Sequence, residues 1–243
     1  MNHRLRTIVQ LSVLSILALA CASAAAQRNA APASPASAAT GYAGYLPGCK
    51  QRLGNGYPDP DRWCEDRWEK VQAAQPLVET IYQALQLAAK GVSDSAMPPS
   101  LPRVAWQTPA RTGAPREGRI GDLAVRLPGV DDEGRLRPRS IVFEWPGSHE
   151  DDGAFKRFVW ELEEALHARG DTLQRIGCWS GGGSGVLVYR VTSRDNGGRP
   201  FAIQFNEDDG RMGFSTVIEV ALDGRIPTRQ QLQAKYEYYS ACD

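Results

Sequence analysis

The types most often used in chemistry crowd into one run, Cys178-Trp179-Ser180-Gly181-Gly182-Gly183-Ser184-Gly185. A serine among glycines suggests a nucleophile elbow, which needs Gly two residues before and two after the serine, on a turn from strand to helix. Around Ser184, Gly182 fits but Val186 does not; around Ser180, Cys178 takes the place of the first glycine. A phosphate-binding loop ends in Gly-Lys-Ser or Gly-Lys-Thr and enters a helix, whereas here Val186, Leu187, Val188 and Tyr189 read as a strand. The run is therefore expected to connect a hairpin. Trp179 with the backbone amides of Gly181, Gly182 and Gly183 is the candidate contact surface for a ligand or partner.

Histidines are scarce. Outside the first few residues the chain carries only His149 and His167. His167 falls near the end of a predicted helix, where its charge complements the helix dipole. His149 lies in a polar loop with Glu150, Asp151 and Asp152, a grouping able to bind a cation or supply a general base. Acids at a helix start are also expected from capping alone. His149, Glu150, Asp152 and Ser180 are thus the candidate catalytic residues, and they form no complete catalytic signature. Acidic pairs at Asp131-Asp132 and Asp208-Asp209 could serve glycoside hydrolysis or calcium binding, but they fall in predicted turns and lack calcium-loop spacing. No metal site and no cofactor is assigned.

The cysteines point to compartment rather than catalysis. Setting Cys21 aside, Cys49, Cys64, Cys178 and Cys242 are an even set without the close pairs of a zinc site. Two disulfides are expected, and of the three connectivities the simplest joins neighbours, Cys49 to Cys64 and Cys178 to Cys242.

The N-terminus supports the same compartment. Arg4 and Arg6 precede an apolar run from Ile8 to Ala20 and small residues from Ala22 to Ala26, the layout of a signal peptide over residues 1–26. The run is short for a membrane span, so cleavage is expected after Ala24 or Ala26 and no transmembrane helix in the mature chain. Leu17-Ala18-Leu19-Ala20-Cys21 is similar to a lipobox, which makes a lipid anchor at Cys21 the alternative. The whole chain balances 28 basic against 28 acidic residues, and removal of the leader takes two arginines from the basic side. Nucleic-acid binding is not expected from that balance.

The remaining pattern sets out the elements that must position these residues. Residues 27–48 are rich in Ala, Ser and Pro and read as a disordered tether. Asp59 and Pro60 open a helix whose apolar face runs through Val71, Val78, Ile81, Leu85 and Ala88 to Gly91, with Pro76 expected to kink or divide it. Residues 92–119 read as a long surface connection. Alternation at Leu123–Leu127 and Ile141–Trp145 signals strands. A helix over residues 153–169 ends at Gly170, and four more strands follow, with tight turns at Asn196-Gly197 and Asp209-Gly210. Thr228 and Gln231 make a capping box for a last helix carrying Leu232, Tyr236 and Tyr239.

These elements predict one α+β domain over residues 49–243, a mostly antiparallel sheet with helices packed on one face, stapled by disulfides. The expected function is that of an exported binding protein, periplasmic or secreted, with a protein or cell-envelope partner. An inhibitor or immunity-type role fits this description. A hydrolase acting on an envelope polymer is the alternative.

Overall fold

Burial accounts for the first described helix. Helix α1 (Tyr42–Leu53) places Tyr45 and Cys49 one turn apart on its inner side, and both are buried. The computed structural model describes residues 41–109, 114–130, 136–146, 154–181, 184–208 and 215–242. The leader, Cys21 and the first part of the tether lie outside the described residues. So do Asp131-Asp132, His149, Glu150, Asp152, Gly182, Gly183 and Asp209-Gly210. The tether as read from composition extends too far, because α1 takes in its last residues: Tyr45 is a core side chain among small ones.

Helix α2 (Pro60–Ala89) begins as its sequence requires. Asp59 accepts a hydrogen bond from the Arg62 amide at 3.1 Å, and Pro60 fills the first helical position. It ends in a Schellman turn, with Gly91 at φ 79° and the Val92 amide donating to Leu87 O at 3.0 Å. Pro76 does not divide it. The helix runs unbroken for 30 residues, since Leu77, Val78, Thr80 and Ile81 are all buried just beyond the proline, and that packing outweighs the missing hydrogen bond. A disulfide joins α1 to α2 through Cys49 and Cys64, closing a separation of 15 residues.

The stretch 92–119 is not a surface connection. Met97, Leu101 and Val104 are buried under two short 3-10 turns, followed by β1 (Ala105–Trp106) and β2 (Arg116–Ile120). Three isolated apolar residues among prolines show no period, so their burial left no pattern to read.

The sheet continues with β3 (Leu123–Leu127), a side hairpin of β4 (Gly129–Val130) and β5 (Leu136–Arg137), and β6 (Ser140–Pro146). Helix α3 (Ala154–Ala168) then leads to β7 (Thr172–Gly181), β8 (Ser184–Thr192), β9 (Phe201–Asp208) and β10 (Ser215–Ala221). After α4 (Arg229–Lys235), β11 (Ser240–Ala241) closes the edge. The nine-stranded order is β1-β2-β3-β6-β10-β9-β8-β7-β11, antiparallel throughout. This is the expected α+β class. Because three alternating strands separate β6 from β7, those two run in the same direction, and α3 supplies the crossover that such a connection needs.

Side chains alternate between the two faces of the sheet. Ile141, Phe143, Ile203, Phe205, Ile218 and Val220 join the core under α1, α2 and α3. Val186 and Val188 point the other way and form a second, smaller cluster with Trp179 and Leu232. Helix α4 therefore covers the opposite face from the longer helices. Its capping box is complete, with Gln231 N to Thr228 Oγ1 at 3.2 Å and Thr228 N to Gln231 Oε1 at 2.9 Å. The Asn196-Gly197 turn belongs to a longer loop, in which both Gly197 and Gly198 have positive φ.

Cys178 and Cys242 form the second disulfide, across 64 residues, and fasten β11 to β7. Both pairings are the simplest of those read from the sequence. Beside this staple β7 bulges between Arg175 and Gly177, and the Trp179 ring folds over Gly177. Replacing Gly177 by Ala puts a methyl group into the space of that ring. Thermal unfolding of Gly177→Ala should show a loss of about 2 kcal/mol. Gly181→Ala, whose methyl would meet Tyr239 Cδ1 at 3.4 Å, should stay within about 0.5 kcal/mol of the parent.

Candidate functional site

Three helices contribute to one pocket. On α3, Trp160, Glu163, Glu164 and His167 repeat at three- and four-residue steps and so share a stripe, beside the apolar stripe of Val159, Leu162 and Leu166 that faces the core. On α2, Trp63 and Arg67 are four apart. Arg52 comes from the end of α1, and Tyr57 from the segment before α2. Together they line a cavity of about 370 Å³ open to solvent.

At its base sits Glu164, with 8 % of its side chain exposed. Arg52 grips it with two donors, Nε to Oε1 at 3.2 Å and Nη2 to Oε2 at 2.7 Å. Tyr45 Oη donates to Oε2 at 2.8 Å, and Arg67 Nη1 lies 3.6 Å from Oε1. Burial alone would raise this carboxyl, but the hydrogen bonds from Arg52 and Tyr45 and the two guanidinium charges outweigh it and hold it below the ordinary range. Burial, together with the bond to Glu164, pushes the Tyr45 hydroxyl up.

Arg67 is wedged between two indoles. Its guanidinium carbon is 2.9 Å from the Trp63 ring centre and 3.3 Å from that of Trp160, and those rings stand 6.0 Å apart at 75°. Each indole face offers negative potential to the cation. Burial lowers the guanidinium to about 10, with Glu164 opposing the fall. Tyr57 packs 5.3 Å from Trp63 and is itself 47 % exposed, which makes it the outer lip.

The neighbouring Glu163 behaves oppositely to Glu164. Burial raises its carboxyl, although a hydrogen bond from Tyr189 pulls it down. Two carboxyls driven apart in pKa suggest an acid and base pair. Glu164 is unsuited to such work, because both its oxygens are already taken by Arg52, Tyr45 and Arg67. The pocket instead offers arginine donors, a glutamate acceptor and an aromatic wall, which is binding chemistry.

Of the residues singled out from sequence, the described ones, Trp179, Ser180 and Gly181, lie elsewhere. Trp179 is buried, 5 % exposed, and packs 5.6 Å from Tyr236; it belongs to the second cluster. Gly181 ends β7 against Tyr239. Ser180 is an exposed strand residue opposite Gly185 and Ser240. Gly182, Gly183, His149, Glu150 and Asp152 lie outside the described residues. His167, read only as a dipole partner, does line the pocket, with Nδ1 3.3 Å from Asp171 O. The signal for this site was the aromatic and acidic stripe on α3, which by itself looks like any solvated helix face.

Among the described residues, no group of three or more His, Cys, Asp or Glu is arranged to hold a metal ion, and no helix is long and apolar enough to cross a membrane. No protein-family model matches the chain, and neither does any curated protein or solved structure.

The opposite shifts of the two glutamates predict opposite pH behaviour. Glu164, held low, stabilises the fold above its unfolded value near pH ~4.3, and this is lost as pH falls through the folded value. Glu163, held high, costs stability as pH rises from ~4.3 through its folded value. Chemical unfolding from pH 3 to 7 should show Glu164→Gln weakened by about 2–3 kcal/mol at pH 7, with the deficit closing in acid. Glu163→Gln should move the other way, gaining on the parent as pH rises.

Proposed function

We propose that the protein is an exported binding protein whose contact with another macromolecule centres on the pocket of Trp63, Arg67 and Trp160. The observation that carries this reading is the guanidinium of Arg67 fixed between two indoles at the mouth of an open cavity, with Tyr57 exposed beside it. Trp, Tyr and Arg in a partly desolvated pocket are the residues in which binding energy concentrates at protein interfaces. Their packing matters as much as their type, because side chains already held by neighbours lose less entropy on binding.

Two disulfides support export, since such bonds persist in oxidising compartments. A periplasmic or secreted location, with an inhibitor or immunity-type role, fits a stapled domain of this kind. The pocket carries arginines and glutamates together. That mixture suits a polar segment of a protein partner better than a free ion.

The test is affinity capture from an envelope extract, with the parent and two pocket variants immobilised side by side. The parent should retain a discrete partner, and Trp160→Ala and Arg67→Ala should each weaken that retention by about 30-fold or more, the size of an interface hot spot. Failure of the parent to retain any protein or wall component, or equal retention by both variants, would overturn the reading. Hydrolysis of a wall polymer that disappears with Ser180→Ala would establish the enzymatic alternative in its place.

A further inference from the structure

The face of the sheet turned away from α1, α2 and α3 has two partial covers. At one end the β4–β5 hairpin lies on β6, so close that a side chain at Gly129 would meet Val142 Cγ2 at 2.6 Å. At the other end α4 seats Leu232 on Val186 and Val188. The gap between these covers is a cavity of about 700 Å³, within the usual size of a small-molecule site.

Its floor is recessed and partly apolar. Val188, Ala202, Ala221 and Leu232 supply the apolar part, from three strands and α4, with Gln204 and Glu219 between them on the same face. Alanines at 202 and 221 make the hollow, because any larger side chain at either position would project into it.

Its rim is charged, and the charges do not balance. Arg137 is paired to Glu219 at 2.8 Å, and Arg225 to Asp223 at 3.1 Å. Arg139 turns away, donating to Ala88 O and Val92 O. Lys235 has no carboxylate within 4.0 Å among the described residues; its ammonium lies 4.9 Å from the Tyr236 ring centre. A recess with an apolar part to its floor and, among the described residues, a cation without an ion-pair partner at its edge is complementary to a molecule with an apolar body and one negative group.

We infer that this cavity binds a small amphipathic anion, an aromatic or short-chain carboxylate or sulfonate, with its body against Ala202 and Ala221 and its charge toward Lys235. This site is separate from the Arg67 pocket and does not depend on the role given to it.

The probe is 8-anilinonaphthalene-1-sulfonate, followed by fluorescence and calorimetry on the folded protein. Saturable binding of one molecule per chain is expected, with Kd about 10–100 μM, the range for a ligand of that size. N-phenyl-1-naphthylamine, which has a similar body without the sulfonate, should bind at least about tenfold more weakly. Ala221→Trp should abolish binding by filling the floor. Lys235→Glu, an exposed substitution that leaves the floor intact, should weaken it about tenfold, and this variant decides the matter should Ala221→Trp fail to fold. Absence of saturable binding, equal affinity for the neutral probe, or undiminished binding in Lys235→Glu would each overturn the inference.

Discussion

A carboxylate cannot be buried without compensation, and that constraint at Glu164 organises the helical half of the molecule. Taking an ionised carboxyl out of water costs several kcal/mol even after relaxation. Here the charge is met from two other helices: α1 sends Tyr45 and Arg52, and α2 sends Arg67. Arg67 is then itself a partly buried cation, and it is covered in turn by Trp63 and Trp160. Each group exists in its place because of the one before it. The pocket is the outer end of that sequence. The disulfide reinforces it, since Cys49 lies between Tyr45 and Arg52 on α1, and Cys64 is next to Trp63 on α2. The covalent link joins α1 to α2 and the electrostatic links join both to α3, so neither carries the geometry alone.

The sheet presents the contrasting case of a surface that is only half used. Toward the helices it is lined with Phe143, Phe201, Phe205, Ile203 and Ile218, all buried. Toward the other side the same strands carry Gln204, Glu219 and two alanines around Val188. That surface is too polar to demand a full layer of helices, and too apolar at Trp179, Val186 and Val188 to be left in water. The chain covers it locally, with a two-stranded hairpin at one end and a seven-residue helix at the other. Because the second cluster rests on α4 and β11, the Cys178–Cys242 bond near the C-terminus holds in place a cover that few other contacts hold.

Local chemistry made much of this fold legible. The cap at Asp59 and Pro60, the box at Thr228 and Gln231, the glycine stops at 91 and 170 and the alternation of β3 and β6 are all decided by residues within a few positions of one another, and sequence states them directly. Cysteine parity and spacing likewise led to the observed pairing. What was hidden depends on distant partners. Met97, Leu101 and Val104 are core because of what packs on them. Pro76 is tolerated because its helix is buried on its far side. Trp179 drew attention beside its glycines, yet its ring is taken up by Gly177 and Tyr236. The pocket was invisible for the same reason. Trp160, Glu163, Glu164 and His167 form a stripe that any helix could carry, and only Arg52 and Arg67, roughly a hundred residues earlier in the chain, make it a site.

The length of α2 links these observations, since a helix of 30 residues is positioned only if it is fixed at more than one point. Its first turns are tied by the disulfide and by Arg67. Further along, Tyr82 donates to the buried Asp171, in the turn between α3 and β7, with Arg169 and Asp195 paired alongside. At its end, Arg139 holds the carbonyls of Ala88 and Val92 at 2.9 and 2.7 Å, and its own amide donates to Asp94. Arg139 adopts φ 61° to do so, a conformation that costs a non-glycine residue about 1 kcal/mol and is offset by three hydrogen bonds. Polar anchors of this kind are directional where apolar packing is not, so they fix the axial position of the helix as well as its distance from the sheet. A shift of α2 by one residue along its axis would break all of them together and carry Arg67 away from both indoles. The geometry of the Arg67 pocket at one end of α2 is thus set partly by hydrogen bonds at the other.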